Sequence, residues 1–281
     1  MSDHQAEIEL LRTLAFGYDR DLPFDAKTAP AGEGGGLTVE RFEITSRYEE
    51  RVGGLLIQAV DADDSDGPRP LILVGHPGTL DKSSDYVLWP AEQWAQRGAI
   101  CATIDQAGHG ERARRPVSME DFQRWPMRRL DQSLQTVADW MRTLDYLSTR
   151  DEVDSERVGF VGFSMGGMRG APFVGLDQRV RAASFCIAAG TTLTRDGGAV
   201  AKLASQLTDS GVYAPMMAGR AIQIVAGERD DLITPEATQR FYDLLSDPKE
   251  LVWLPCGHWD FMPQGIRPVG PFLERELRFG G

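Results

Sequence analysis

The chain has 281 residues, of which 42% are hydrophobic, so it is long and apolar enough to build a large core. Its 30 basic and 42 acidic residues give a formal net charge of −12, which argues against nonspecific binding to nucleic acid or to an anionic membrane. Residues 1–20 lack the apolar stretch of a signal peptide, and no apolar run reaches the length of a membrane span. The three cysteines, an odd and sparse set, predict free thiols. We therefore expect a cytoplasmic protein.

Residues 1–36 are predicted to form a helical extension before the main domain, which spans residues 37–281. Apolar residues between Ile8 and Ala15 recur at helical spacing and predict a short amphipathic helix. Such a helix would cover the sheet or contribute to a homodimer interface. The glycine-rich stretch 32–36 predicts a flexible joint, since glycine leaves the backbone conformationally free.

The main domain begins with two segments of alternating polarity, 37–46 and 52–60, which predict an antiparallel hairpin. After residue 70, predicted strands alternate with predicted helices, a pattern typical of a doubly wound, mostly parallel α/β sheet. The later strands are predicted at 71–75, 99–104, 158–163, 180–188, 221–226 and 250–254. Residues 191–219 show no clean period and are interpreted as a small lid, not as a separate domain.

One stretch carries the clearest chemical signal. The apolar segment from Val158 to Phe163 predicts a buried strand, and small residues that open a helix follow it. Between them, Gly162-Phe163-Ser164-Met165-Gly166 fits the pattern Gly-x-Ser-x-Gly, which places a serine on a sharp strand-to-helix turn. The sequence Gly-Phe-Ser-Met-Gly-Gly after a hydrophobic strand resembles the nucleophile elbow of the α/β-hydrolase superfamily. The resemblance extends from about Arg41 to the C-terminus and is closest to the dienelactone hydrolase, acetyl xylan esterase and prolyl oligopeptidase branch.

A serine hydroxyl needs a base within hydrogen-bond reach to act as a nucleophile. The resemblance implies the chain order serine, acid, histidine. Of the four histidines, only His258 follows Ser164, and it lies just after the last predicted strand. His258 is therefore the predicted base. His76 and His109 flank tight turns and are interpreted as structural residues that bond the backbone. No ligand spacing typical of a metal site is present, and we expect neither a metal nor a cofactor.

The acid should follow the predicted strand 221–226, where Gly227-Glu228-Arg229-Asp230-Asp231 offers three carboxylates. The family pattern Gly-x-x-Asp selects Asp230, whereas the spacing back from Pro235 selects Asp231. We prefer Asp230, because peptidase-like relatives with paired aspartates use the first of the two.

The resemblance also implies an oxyanion hole with two backbone donors. One is the N–H that follows the nucleophile, at Met165. The other comes from the loop after strand 71–75, where the family has a His-Gly pair. This chain has His76-Pro77 instead, and proline carries no N–H, so the donor is Gly78 or Thr79. We choose Gly78.

Six arginines crowd the segment after Gly110 in a protein that is acidic overall: Arg112, Arg114, Arg115, Arg124, Arg128 and Arg129. Such a run is often a solvated helix face paired to nearby acids. Alternatively, one or two of these arginines hold a carboxylate of the substrate. Arg112 and Arg115 are the candidates, because they lie nearest the predicted strand end.

Together these residues predict a serine hydrolase that cleaves carboxylic esters of small molecules through an acyl-enzyme. Ser164 is the predicted nucleophile, His258 the base and Asp230 the acid. A thioester, amide or carbon–carbon bond hydrolase on the same residues is the alternative enzyme. A catalytically inactive binding module with the same fold is the alternative of another class.

Overall fold

The computed structural model describes residues 10, 12–60, 67–115, 126–188 and 207–280. Within them, nine strands form one sheet: β1 (Lys27–Gly34), β2 (Leu37–Thr45), β3 (Arg51–Ala59), β4 (Arg69–Gly75), β5 (Ile100–Ile104), β6 (Val153–Phe163), β7 (Val180–Cys186), β8 (Ala221–Gly227) and β9 (Lys249–Leu254). The α-helices are α1 (Asp85–Gln96), α2 (Pro126–Leu147), α3 (Met165–Leu176), the short α4 (Ser210–Tyr213), α5 (Pro235–Leu244) and α6 (Val269–Leu277). Residues 12–16 are also helical.

The strand order is β1-β2-β3-β5-β4-β6-β7-β8-β9. Strands β1 to β3 are antiparallel neighbours, and β3 pairs antiparallel with β5. From β5 to β9 every pairing is parallel, which confirms the predicted α/β class with an antiparallel N-terminal hairpin. After β4 the chain crosses to β5 on one side and then to β6 on the other. The carboxyl ends of strands at such a switch point form a crevice in which α/β proteins bind ligands.

Helices cover both faces of the sheet. Helices α2, α3 and α5 bury apolar side chains on one face, where Trp140 stacks on Phe173 at a centroid distance of 6.2 Å. Helices α1 and α6 cover the other face through residues such as Trp94 and Phe272. Where the parallel strands are buried on both sides, their sequences are nearly continuous apolar runs instead of alternating, as in β4, β5 and the second half of β6. This layered core holds the loops at the strand ends in fixed positions.

The N-terminal region differs from the predicted helical extension. Ala15 and Phe16 are buried in the core on the α2 side, as a covering helix would be. However, residues 27–34 form the edge strand β1, and Gly35 and Gly36 make its turn into β2 with φ of 60° and 77°. The predicted joint at 32–36 is therefore the end of a strand and a hairpin turn. The pattern hid β1 because every residue of this strand is exposed.

Most of the predicted lid, 191–219, lies outside the described residues. The described part, 207–219, contains α4 and packs on the domain, with Tyr213 fully buried and its hydroxyl donating to the Leu207 carbonyl over 2.8 Å. The lid itself stays a prediction. Over the described ranges, no helix is both long enough and apolar enough to cross a membrane.

Candidate active site

Ser164 lies at the sharp turn between β6 and α3. Its φ of 49° and ψ of −116° are unusual for a residue with a side chain, and such strain persists only where the surroundings enforce it. Its N–H donates to the Cys186 carbonyl over 2.9 Å, and its own carbonyl accepts from Met168 N–H over 3.0 Å. The backbone is thus held by β7 on one side and by the first turn of α3 on the other.

Glycines make this turn sterically feasible. A Cβ built on Gly166 would lie 2.3 Å from the Gly75 carbonyl oxygen and 2.7 Å from that of His76. A Cβ on Gly162 would lie 2.5 Å from Cα of Gly167. These neighbours are backbone atoms that cannot rotate away, so the Gly-x-Ser-x-Gly spacing follows from the close packing of β4, β6 and α3.

The predicted base and acid meet the serine in a continuous chain of hydrogen bonds. The oxygen Ser164 Oγ lies 2.9 Å from His258 Nε2, and His258 Nδ1 lies 2.8 Å from Asp230 Oδ2. A carboxylate can only accept, so Nδ1 carries the proton and Nε2 is left to accept from the serine hydroxyl. All three residues are buried, with exposures of 7%, 5% and 3% for Ser164, His258 and Asp230.

Backbone groups orient the acid. The second oxygen of Asp230, Oδ1, accepts from Leu232 N–H over 2.9 Å and from Ile233 N–H over 2.7 Å. Asp231, the alternative acid, is exposed to solvent. Of the two aspartates, the structure therefore brings Asp230 to His258.

No protein-family model matches the sequence. YtaP of Bacillus subtilis (strain 168), a provisionally assigned hydrolase, is 26% identical over 166 residues, which cover 52% of this chain and 55% of YtaP. The match thus spans about half the length of this curated relative. Among solved structures, an acetyl xylan esterase from Paenibacillus sp. R4 superimposes with a TM-score of 0.77 at 18% identity and covers 98% of this chain and 95% of that one.

Acetyl xylan esterase 1 from Thermoanaerobacterium sp. JW/SL YS485 gives a TM-score of 0.76 at 14% identity, over 95% of this chain and 93% of that one. A cold-adapted esterase from an Arctic intertidal metagenomic library gives 0.70 at 21% identity, over 87% and 96% of the two chains. The chain has the α/β-hydrolase fold. In this fold the nucleophile elbow is a strand-to-helix turn of this kind, and the role of Ser164 as the nucleophile stays a prediction.

The loop after β4, predicted to supply the second oxyanion donor, lies beside this elbow. His76 is fully buried, its Nδ1 donates to the Pro77 carbonyl over 2.8 Å, and its Nε2 accepts from Gln106 N–H over 3.1 Å. Burial lowers the pKa of His76 to about 4, so the ring is neutral at neutral pH. Gly78 is half-buried, and Thr79 is exposed with a φ of 68°. The donor roles of Met165 and Gly78 stay predictions.

A buried ion pair ties this loop to the turn after β5. Lys82 Nζ lies 2.6 Å from Asp105 Oδ2, and the two side chains are only 4% and 0% exposed. Asp105 also accepts from the N–H groups of Lys82 and Glu111, over 3.1 and 3.0 Å. Gly110 is required here, because with φ of 52° a Cβ would lie 2.1 Å from Asp105 Oδ1. The Asp-Gln-Ala-Gly-His-Gly turn therefore supports the floor of the site.

The two arginines predicted to hold a substrate carboxylate lie in different surroundings. Arg112 is bound by carboxylates of the protein itself, with Nη1 2.5 Å from Asp139 Oδ2 and Nη2 2.6 Å from Glu50 Oε2. Both ends of its guanidinium are thus occupied, which does not favour the predicted role. Arg115 is exposed, and its role stays a prediction.

Arg169, which no sequence motif marks, lies on α3 five residues after Ser164. It is 5% exposed, and its Nη1 lies 3.5 Å from Thr136 Oγ1. Burial, and then the charges of Arg129 and Arg112, lower its pKa to about 9. An arginine on a helix gives no signal of such burial in the sequence. In the described part of the chain, no group of three His, Cys, Asp or Glu side chains could hold a metal ion.

Proposed function

We propose that the protein is a serine hydrolase that cleaves carboxylic esters of small molecules through an acyl-enzyme intermediate. The observation that carries this proposal is the hydrogen-bonded chain from Ser164 Oγ through His258 to Asp230, with heavy-atom distances of 2.9 and 2.8 Å. Both distances lie within the reach that proton transfer requires. The esterases among the structural neighbours support the same reaction class.

In this mechanism His258 Nε2 accepts the hydroxyl proton of Ser164 as Oγ attacks the carbonyl carbon of the ester. Asp230 holds the imidazole in the required tautomer and stabilises the imidazolium that forms. The carbonyl oxygen becomes an oxyanion, for which the N–H groups of Met165 and Gly78 are the proposed donors. Met165 is the first residue of α3, so the positive end of the helix dipole adds to this stabilisation.

The tetrahedral intermediate collapses when the bond between the carbonyl carbon and the alcohol oxygen breaks. His258 then gives its proton to the departing alcohol, which leaves Ser164 acylated. A water molecule attacks the acyl carbon while His258 accepts one of its protons. Collapse of the second intermediate releases the carboxylic acid and returns the proton to Ser164. His258 thus acts first as a base and then as an acid in each half-reaction.

A fluorophosphonate probe tests the nucleophile directly, because it labels only an activated serine. We expect the wild-type protein to be labelled at Ser164 and the Ser164→Ala variant to remain unlabelled. Turnover of p-nitrophenyl esters should fall by roughly four to six orders of magnitude in Ser164→Ala, since the three residues act as a unit. A folded Ser164→Ala protein with near-normal kcat would exclude this mechanism.

The same experiment separates the alternatives. A catalytically inactive binding module would give no labelling in the wild-type protein. For a labelled protein, a panel of p-nitrophenyl esters of increasing acyl length, aryl and acidic esters, thioesters and anilides ranks the reaction classes by kcat/KM. We expect esters to rank first. A thioester or anilide ranked clearly above the matched ester would replace ester hydrolysis with the corresponding alternative.

A further inference from the structure

Trp259, the residue after His258, is a large apolar side chain that is 71% exposed. Its indole contacts the imidazole of His258 edge to face, with the ring centroids 5.2 Å apart and the planes at 75°. His258 itself is only 5% exposed, so the indole lies between solvent and the buried hydrogen-bonded chain of Ser164, His258 and Asp230. Packing in the core does not account for an indole that the described part of the chain leaves largely exposed.

The backbone on both sides of Trp259 is fixed. His258 is held by its bonds to Ser164 and Asp230. Gly257 N–H donates to Asp260 Oδ1 over 2.6 Å, which closes a tight turn around the tryptophan. Phe261 is fully buried, with its ring 6.4 Å from that of Phe163 at the elbow. The exposed indole is therefore attached to a rigid turn, and a ligand that binds it meets a preorganised surface.

The proposed chemistry determines which part of a substrate comes near this indole. His258 Nε2 gives its proton to the alcohol oxygen as that oxygen departs, so the oxygen must lie within hydrogen-bond distance of the imidazole. The group attached to this oxygen then extends from the imidazole, and the indole is the exposed apolar surface that contacts the same ring. The acyl part is instead fixed by its bond to Ser164. Trp259 is thus placed to contact the alcohol part of the ester.

We propose that Trp259 is a stacking platform for the alcohol part of the substrate, and that the enzyme prefers esters whose alcohol carries a ring with an apolar face. The ring is an aryl group or a pyranose, since both present an apolar face that stacks on an indole. This inference rests on the proposed ester hydrolysis and names the class of alcohol that the site selects.

The test compares benzyl acetate with n-butyl acetate, which share the acyl group and release alkoxides of similar basicity. The measured quantity is the ratio of kcat/KM for the two esters in wild type and in Trp259→Ala. A stacked aromatic pair is worth about 0.5–1.5 kcal/mol beyond its buried area. We therefore expect the ratio to fall about two- to twelvefold in Trp259→Ala, since about 1.4 kcal/mol corresponds to a factor of ten. Trp259→Phe keeps a flat ring and should retain most of the preference.

Two controls isolate the platform. Trp89 on α1 is also exposed, at 41%, and Trp89→Ala should leave the benzyl-to-butyl ratio as in wild type. Methyl phenylacetate against methyl butyrate places the ring on the acyl side, and Trp259→Ala should not change that ratio.

A further pair varies the alcohol part: the 6-acetate of methyl glucopyranoside against n-butyl acetate. Comparison of this pair with the benzyl pair distinguishes a pyranose from an aryl group as the preferred ring.

Three results would contradict the proposal that Trp259 stacks on the alcohol part of the substrate. Equal losses for ring-bearing and acyclic alcohols in Trp259→Ala would mean that the indole only supports His258. A change confined to the acyl-side ratio would assign Trp259 to the acyl pocket. An unchanged ratio together with an altered sedimentation coefficient would assign Trp259 to a contact between copies of the chain. Failure of the proposed function is distinct, since it would appear as absent fluorophosphonate labelling and absent hydrolysis in wild type.

Discussion

Each residue of the proposed triad was accessible to sequence reasoning to a different degree. Ser164 was marked by the glycines around it, and His258 was the one histidine that follows it in the chain. The acid was ambiguous, because Asp230 and Asp231 are adjacent and two spacing rules disagreed. The choice depends on which side chain points from the loop toward the imidazole, and the bonds from Leu232 and Ile233 to Asp230 fix that direction.

Replacement of each aspartate by asparagine tests this assignment. Asp230→Asn keeps the shape but removes the carboxylate that holds the imidazole tautomer, so we expect kcat to fall by about 10⁴. Asp231 is exposed, and Asp231→Asn should change kcat by no more than about twofold. The measurement is kcat on a p-nitrophenyl ester at pH 7, with circular dichroism as the control for folding. The reverse order of the two losses would transfer the role to Asp231.

Arg112 shows that the surroundings of a charged residue depend on partners that its sequence neighbours do not reveal. The run of arginines around it suggested either a solvated helix face or a site for a substrate carboxylate, whereas its ion partners, Asp139 and Glu50, are distant in sequence. Asp139 is 0% exposed and also accepts from Ser46 Oγ over 2.6 Å and from Gln135 Nε2 over 2.8 Å. Arg112 therefore neutralises a buried carboxylate that ties α2 to the turn between β2 and β3.

We expect Arg112→Met to lower the free energy of unfolding by about 3–5 kcal/mol, because it leaves Asp139 buried without its cation. The double variant Arg112→Met/Asp139→Leu should recover much of this loss. Arg114, which is exposed, provides the control: Arg114→Met should change stability by less than about 0.5 kcal/mol. The measurement is urea denaturation. A stable Arg112→Met protein that selectively loses activity on acidic esters would instead support the substrate-binding role.

At the scale of elements, the pattern of apolar residues predicted the strands that are buried in the core. The predicted ends of the parallel strands lie within two residues of the observed ends, except at the start of β6. Two strand segments were missed for a common reason. Strand β1 has no buried residue, and the first half of β6, Asp154-Ser155-Glu156-Arg157, is polar and partly exposed. Strand β1 pairs with β2, and the start of β6 pairs with β4 only at Val153 and Asp154 before the register shifts to Val158. A pattern of side-chain polarity carries no record of such backbone pairing.

The turn at Ser164 depends on close contact between Gly166 and the backbone of β4 and the loop after it. We expect Gly166→Ala to destabilise the protein by about 1–3 kcal/mol, because the new Cβ overlaps backbone of β4 and must displace it. We also expect kcat to fall under conditions in which the variant is still folded, since the displaced loop contains the proposed donor Gly78. Gly32→Ala is the matched control, because no atom lies within 4 Å of the new Cβ. Equal melting temperatures and equal kcat for the two variants would contradict this account of the elbow.

At the scale of the whole molecule, the fold buries His76 and His109 as neutral groups within the floor of the site. Their exposures are 0% and 1%, and their rings lie 5.4 Å apart. Burial lowers the pKa of His76 from 6.5 to about 4. Burial, and then the charge of Arg169, lower the pKa of His109 from 6.5 to about 2. Between the lowered and the ordinary pKa values, the folded protein therefore binds fewer protons at these two histidines than the unfolded chain does.

This difference makes stability depend on pH in a defined direction. Well above pH 6.5, from about pH 7.5, both histidines are neutral in both states and contribute no pH dependence. Below pH 6.5 the unfolded chain binds the additional protons, so stability falls as the pH falls. For each pH unit by which the solution is acidified, each histidine raises the equilibrium constant of unfolding by up to about tenfold. The contribution of His76 ends near pH 4, whereas that of His109 continues toward pH 2.

The prediction is tested by urea denaturation between pH 7 and pH 4.5, with wild type, His76→Gln, His109→Gln and the double variant. Each single substitution lowers the absolute stability by removing bonds, so the informative quantity is the slope of the unfolding free energy against pH. We expect each single variant to remove up to about one proton from the uptake on unfolding, and the double variant about two. A double variant with the same slope as wild type would show that carboxylates elsewhere in this acidic protein, and not the buried pair of rings, set its sensitivity to acid.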